Sequence, residues 1–318
     1  MKPDIPIADN RIIADYGPSG GPLLLVTCLI HGNEPAGEAA ARSVLETLAP
    51  GPESHLSGRI VVLRGNLSAI AAQKRYIDAD LNRVFPTQAS PAIPSTGRIS
   101  ELEERDELVA LIKCLADEHP VGQRYFADLH TTSSQTIPYL SLPGLDEHTI
   151  GFGRKFPLHL VTSFYQYAPG SIDRFLHEQG FTGFTCEGGQ HLRSTSATNM
   201  TALLWMMLEE TGCLAPGAGI IDQSSLDEAH AILDEYVIGP PKIFEVTHRH
   251  ALDGSEEFVM KPGFANFHQV ERDEVIAKDK NGPVSAPANG NLLMPLYQPS
   301  GRDGFFMVQE RSAPFENE

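Results

Sequence analysis

The feature that most constrains this chain is an apolar run that ends on a histidine and a glutamate. Pro22-Leu-Leu-Leu-Val-Thr-Cys-Leu-Ile30 leads directly into His31-Gly-Asn-Glu34. A continuous apolar run of this kind reads as a strand buried on both faces, as in a parallel sheet covered by helices. The stretch from Pro35 to Leu48 reads as a helix with proline at its first position. His31 and Glu34 therefore lie where a central strand gives way to a helix, the crevice in which open α/β sheets bind ligands. Imidazole and carboxylate together suit Zn²⁺, and a catalytic zinc takes three protein ligands and keeps one position open.

The same arrangement recurs along the chain. Arg59–Arg64 reads as a strand ending at Gly65-Asn66, Tyr125–Leu129 as one ending at His130, and Phe181–Cys186 as one ending at Glu187. Polar residues at four strand ends are hard to attribute to accident. Between the strands, Leu67–Lys74 reads as a short helix and Ala197–Glu210 as a longer one. Ser100 with Glu103 reads as a capping box opening a helix of Leu102, Leu108, Leu111, Ile112 and Leu115 that ends near Asp117. Residues 1–20 read as an edge hairpin or arm, and 51–54 and 85–97 as loops. Alternating strands and helices predict an α/β fold: an open, mostly parallel mixed sheet flanked by helices.

The pattern changes after Gly212. Residues 214–224 read as a linker and Leu226–Val237 as an amphipathic helix. From Lys242 onward short extended runs alternate with turns at Asn281-Gly282, Asn289-Gly290 and Ser300-Gly301. The expectation is a catalytic domain over 1–222 and a smaller all-β domain over 223–318 that covers or flanks the site.

With 318 residues and a formal net charge of −17, the chain suits neither nucleic acid nor an anionic membrane as partner. An anionic substrate would need a locally positive site. Cys28, Cys114, Cys186 and Cys213 show no paired spacing and read as reduced thiols, which suits a cytoplasm. The N-terminal residues lack the apolar core of a signal peptide, and no run approaches the roughly 18 apolar residues of a membrane span.

His130 adds a third ligand to His31 and Glu34, giving a set that matches hydrolytic zinc sites. Asp128, two residues earlier on the same strand face, suits a carboxylate that orients a ligand histidine, or equally a cap or structural ion pair. Glu187 is the candidate general base, with a fourth ligand as its alternative and His191 as its rival. Arg75-Tyr-Ile-Asp-Ala-Asp-Leu-Asn-Arg83 places two arginines and an asparagine beside the metal. Arginine binds carboxylates through a planar fork and can stabilise an oxyanion. His248 and His250, at period two, read as ordinary solvent-facing residues.

His31-Gly-Asn-Glu34, Gly65-Asn66, Arg75–Pro86, Asp128-Leu-His130-Thr-Thr and Thr185-Cys-Glu187-Gly-Gly together resemble the aspartoacylase/succinylglutamate desuccinylase family. That family is similar in fold to zinc carboxypeptidases. The resemblance implies one Zn²⁺ per chain on His31, Glu34 and His130, with Glu187 as base and Arg75 polarising the scissile carbonyl. It implies Asn82 and Arg83 at a substrate carboxylate, and the strand-end Asn66 joins the substrate-binding set. A further family arginine has its nearest counterpart in Arg174, at a different spacing. The tyrosine that aspartoacylases take from the C-terminal domain falls at Gly304-Phe-Phe306, with Tyr297 nearby.

The expected activity is zinc-dependent hydrolysis of the amide bond of a small N-acyl amino acid. Rival readings are a carboxypeptidase on peptides or cell-wall fragments, a deacetylase of an N-acetyl diamino acid, and a metal-dependent binding module. The intact Glu187 counts against the last. The acyl group, the amino acid and association into a homo-oligomer stay open at this point.

Overall fold

The computed structural model describes residues 6–49, 51, 55–88, 98–216 and 223–311 of the 318-residue chain. Its strands are β1 (Ile12–Tyr16), β2 (Leu23–Cys28), β3 (Arg59–Arg64), β4 (Arg124–Thr132), β5 (Tyr139–Ser141), β6 (His159–Thr162) and β7 (Thr182–Gln190). They continue with β8 (Ile243–Ala251), β9 (Val259–Met260), β10 (Gln269–Val270), β11 (Val275–Asp279), β12 (Gly282–Ser285), β13 (Gly290–Leu293) and β14 (Asp303–Glu310). The helices are α1 (Ala36–Leu48), α2 (Leu67–Ala72), α3 (Ser100–Glu118), α4 (Glu147–Gly153), α5 (Phe164–Tyr167), α6 (Ile172–Glu178), α7 (Ser194–Glu210) and α8 (Gln223–Asp234).

Among the described residues, one sheet runs β1-β3-β2-β4-β7-β5-β6-β8-β14-β13-β10, and a second, antiparallel one runs β12-β11-β9. Strands β3, β2, β4 and β7 are mutually parallel. Their carboxyl ends therefore lie along one edge, as the four polar strand ends predict. The fold is a mixed, mostly parallel open sheet with helices on it and a small antiparallel sheet after it, matching the expected class.

Every residue of β2 is buried. Leu24, Val26 and Cys28 face the layer formed with α1 and α7, while Leu23 and Leu25 face that formed with α3 and α6. The two-residue period of a strand thus distributes one apolar run over two cores. Helix α1 applies Ala40, Ala41, Val44, Leu45 and Leu48 to the first. Burying each large aliphatic side chain is favourable by about 1.5–3 kcal/mol, which fixes the strand at the centre.

Several expectations need correction. The capping box does not form: Ile99 holds the N-cap position and Ser100 is already helical. The backbone N–H of Ser100 donates to Asp78 Oδ2 at 2.8 Å, and Glu103 pairs with Arg98. A carboxylate reaching across from another loop replaces the local box. Of the two readings of the N-terminal stretch, the edge arm holds: β1 is the outermost strand of the large sheet and pairs antiparallel with β3. The loop expected over 85–97 falls mostly outside the described residues, as does most of 51–54. Strands β5 and β6 and helices α4 to α6, over 139–178, carry no periodic signal that the sequence reading recognised.

Towards the C-terminus the large sheet does not stop. Strand β8 pairs parallel with β6, and β14 pairs with β8. Helix α8 contributes Ala229 and Leu233 to the same core as α7. No helix among the described residues is long and apolar enough to cross a membrane.

Candidate active site and metal centre

Side chains from three neighbouring strands converge on one point. His31 and Glu34 leave β2, while His130 and Glu187 face each other in register on β4 and β7. Gly32 sits so close to α2 that a Cβ there would lie 2.3 Å from the Ala69 carbonyl carbon, so only glycine lets the loop pack in this way.

His31, Glu34 and His130 are buried, and one donor atom from each lies within 4.8 Å of the others. His31 Nδ1 is 2.8 Å from Glu34 Oε1, and His130 Nδ1 is 3.2 Å from Glu34 Oε2. Both histidines turn Nδ1 inward and bond a carboxylate through the far nitrogen. His130 Nε2 lies 2.8 Å from Asp128 Oδ2, whose other oxygen accepts the Thr27 hydroxyl at 2.6 Å. His31 Nε2 lies 3.1 Å from Asp80 Oδ1. A donor hydrogen bond from Nε2 leaves the Nδ1 lone pair free for a cation, the arrangement of metal-binding histidines. Two imidazoles and a carboxylate, each held from behind, fit a divalent cation of the zinc type.

Asp80 was not singled out from the sequence; its only signal was an acidic residue within the Arg75–Arg83 block. Replacing Asp80 or Asp128 by asparagine is expected to weaken zinc binding by roughly 10–100-fold. Competition against a chelating dye reads this directly, and unchanged affinity in both variants would remove their orienting role.

The ionisation states follow from the packing. Burial alone would raise the Glu34 pKa, but His31 and His130 outweigh it and hold Glu34 well below the usual carboxylate range. Asp80 is held low in the same way by His31 and Arg75 against its burial. Burial disfavours the charged form of His130, yet Asp128 and Glu34 raise it well above the ordinary imidazole value. Glu187 is pushed up to about 8, chiefly by burial, and its Oε2 has no hydrogen-bond partner. A cation in the neighbouring cluster would draw it down again.

The Arg75–Arg83 block is held from below. The buried Glu101 of α3 accepts the backbone N–H groups of Ile77 at 2.6 Å and of Asp78 and Ala79 at 3.1 Å. Asn66 caps α2 through Ala69 and donates to Glu101 at 3.1 Å. Asn66 therefore supports the block and does not line the cavity, which corrects its expected place among the substrate-binding residues. Each buried donor left without a partner is unfavourable by about 1–3 kcal/mol, so Glu101→Ala is expected to destabilise the fold by about 3 kcal/mol or more. Chemical denaturation checks it; an unchanged midpoint would show that the block is held otherwise.

A cavity of about 90 Å³ opens beside the cluster, lined by Arg75, Asn82, Arg83 and Glu187 and, from the C-terminal strands, by Met294, Leu296, Gln298, Asp303 and Phe306. Arg75 reaches Glu34 at 3.3 Å and Asp80 at 3.2 Å, while its buried Nε lacks a partner. Arg83 donates to the Asn82 carbonyl and to Asp303, at 2.8 and 3.1 Å. Asp303 also accepts from Arg249 at 2.6 Å. Neither Asp303 nor this tie across the cavity was legible in the sequence.

Arg174 is not at the cavity. It pairs with Glu178 one helical turn on at 2.8 Å, bonds the Pro143 carbonyl and covers the Tyr165 ring. His191 bonds the Thr131 hydroxyl at 2.7 Å and belongs neither to the ligand cluster nor to the cavity lining. Tyr297 turns its hydroxyl to the Lys261 carbonyl, and Phe305 stacks on His250 at 4.9 Å. Of Phe305 and Phe306, it is Phe306 that lines the cavity.

The sequence profile described as "Succinylglutamate desuccinylase/Aspartoacylase catalytic domain" matches residues 20–210. A succinylglutamate desuccinylase of Yersinia pestis (strain Pestoides F) is 34% identical over 110 residues, which is 34% of this chain and 31% of that relative. The match thus spans about a third of the relative's length. The crystal structure of a succinylglutamate desuccinylase from Vibrio cholerae superposes with a TM-score of 0.63 at 19% identity, over 93% of this chain and 84% of that one. The product-bound ectoine utilization protein EutE (DoeB) from Ruegeria pomeroyi gives 0.63 at 17% identity, over 97% and 98%. These likenesses carry the fold, and the profile covers more than half of the sequence including the whole His-Glu-His cluster. The chain belongs to the succinylglutamate desuccinylase/aspartoacylase family.

Proposed function

We propose that this chain hydrolyses the amide bond of a small N-acyl amino acid, releasing a carboxylic acid and a free amine, with one zinc ion on His31, Glu34 and His130. The observation that carries the reading is the buried Glu187 carboxylate with an unpartnered oxygen, facing His130 across the strands. Zinc in that cluster supplies Lewis acidity, which acidifies water and polarises a carbonyl. Glu187 takes the proton of the attacking water and returns it to the leaving nitrogen. Arg75, with Nε free to donate, stabilises the negative charge that develops on the carbonyl oxygen. Asn82 and Arg83 hold the α-carboxylate. The relatives' descriptions as succinylglutamate desuccinylases and an ectoine utilization protein agree with small acylated amino acids. A cavity of about 90 Å³ walled by the C-terminal strands favours them over a peptide chain.

The test is to incubate zinc-loaded protein with N-acetyl, N-succinyl and N-formyl amino acids and to detect released amine. Release from none of them, with peptides cleaved instead, would replace this reading by the carboxypeptidase one. Arg83→Lys isolates the carboxylate contact. An ammonium keeps the charge but loses the planar fork, and Asp303 already engages part of it. For substrates with a free α-carboxylate the loss in kcat/KM should be on the order of 2–5 kcal/mol, and for their amides it should be small. Equal losses would assign Arg83 to holding Asp303 instead.

A further inference from the structure

The roles above leave one part of the cavity without a task. Strands β5 and β7 run antiparallel there, with Tyr139 opposite Glu187 and Ser141 opposite Thr185. Residues two apart on a strand share a face, so these four side chains form one patch, and all four line the cavity. Asp173, in the first turn of α6, lines it too.

The Asp173 carboxylate is buried, and its bonds come from neutral donors. It accepts the Thr185 hydroxyl at 3.1 Å, the Arg174 backbone N–H at 2.7 Å and the Ser171 hydroxyl. Burial pushes its pKa up and Asp128 adds to the shift, against the lowering by its bonds from Ser171, the Arg174 N–H and Thr185. A carboxylate buried without a counter-charge is strongly unfavourable. Thr185 and Ser171 already donate to Asp173, so they present lone pairs, not protons, to the cavity. Tyr139 is fully buried and its hydroxyl has no partner. Of the arginines that line the cavity, Arg75 is paired with Glu34 and Asp80 and Arg83 with Asp303, while Arg302 is exposed to solvent. At Asp173 the unmatched charge is therefore negative, and the Thr185, Ser171 and Tyr139 oxygens beside it can accept.

We propose that this recess is the side-chain subsite for the amino-acid half of the substrate and that it takes a cationic group, a primary ammonium or a guanidinium. The substrate class is then the N-acyl derivatives of basic amino acids, an inference that rests on the deacylase reading above. The recess serves the amino-acid half because the backbone N–H of Ile172, beside Asp173, donates to Asn82 Oδ1 at 2.9 Å. It thus adjoins the residue assigned to the α-carboxylate. The cation donates to Asp173 and to the oxygens of Tyr139 and Ser141.

The test compares N-acetyl-L-ornithine, -lysine and -arginine with N-acetyl-L-norvaline and -norleucine on zinc-loaded protein. In parallel, calorimetry measures binding of the corresponding free amino acids. At least one basic side chain should be preferred by roughly tenfold or more in both kcat/KM and affinity. Asp173→Asn should remove most of that preference, and Tyr139→Phe should weaken binding of the basic amino acid severalfold while keeping the preference. Absence of preference in the unaltered protein, or a preference that survives Asp173→Asn, overturns the subsite. Equal cleavage of basic and neutral substrates overturns the subsite and leaves the deacylase reading standing. Binding of a basic amino acid that depends on Asp173, with no acyl amino acid cleaved, does the reverse.

Discussion

Replacing His130 by alanine is expected to empty the metal centre and abolish hydrolysis. In the proposed site His130 is one of three ligands, and it is buried on the central strand β4. Its removal also leaves Asp128 without the imidazole that pairs with it, a buried carboxylate held only by Thr27. Two ligands hold zinc poorly, and the Lewis acidity lost is worth several kcal/mol in the transition state, so activity should fall by roughly a thousandfold or more. Metal analysis of the purified variant decides the matter alongside turnover, with circular dichroism confirming that the fold persists. Stoichiometric zinc in His130→Ala would show that the ligand set is misassigned, with His191, on the neighbouring Thr131, the next residue to examine.

Glu187→Gln separates proton transfer from metal binding. Glutamine keeps the size and hydrogen bonding of the side chain but cannot accept the proton. Zinc content should stay at one per chain, while kcat falls roughly 10²–10⁴-fold. The buried setting strengthens this expectation, because the carboxylate oxygen without a partner has no structural bond to lose. Loss of zinc would make Glu187 a ligand, and an unchanged kcat would remove it from the mechanism.

The candidate metal cluster was legible in the sequence because its parts are local. His31 and Glu34 follow a continuous apolar run that reads as a buried strand, and His130 and Glu187 end similar runs. Parallel strands then bring those ends together without further information. What could not be read depends on which of several partners captures each side chain. Asn66 ends a strand like the ligands, yet its amide serves a helix cap and Glu101. Arg174 has the right chemistry, but Glu178 on its own helix captures it. The capping box at Ser100 fails because Asp78, far away in sequence, reaches that backbone N–H first. Asp173 and Tyr139 sit in the stretch of short elements where no periodicity marks a face.

The ion pair between Arg83 and Asp303 joins residues 220 apart in sequence. Its consequence lies in the order of assembly on the ribosome. The proposed ligands His31, Glu34 and His130 and the proposed base Glu187 are all made before residues 294–306, which supply the opposite wall. Contacts of such long range are the slowest to close, and the earlier part of a chain folds first during synthesis. On the proposed function, a nascent chain would gain its metal ligands before it could enclose a substrate, and a proteolytic cut between β13 and β14 would be expected to lower activity while leaving every proposed ligand in place.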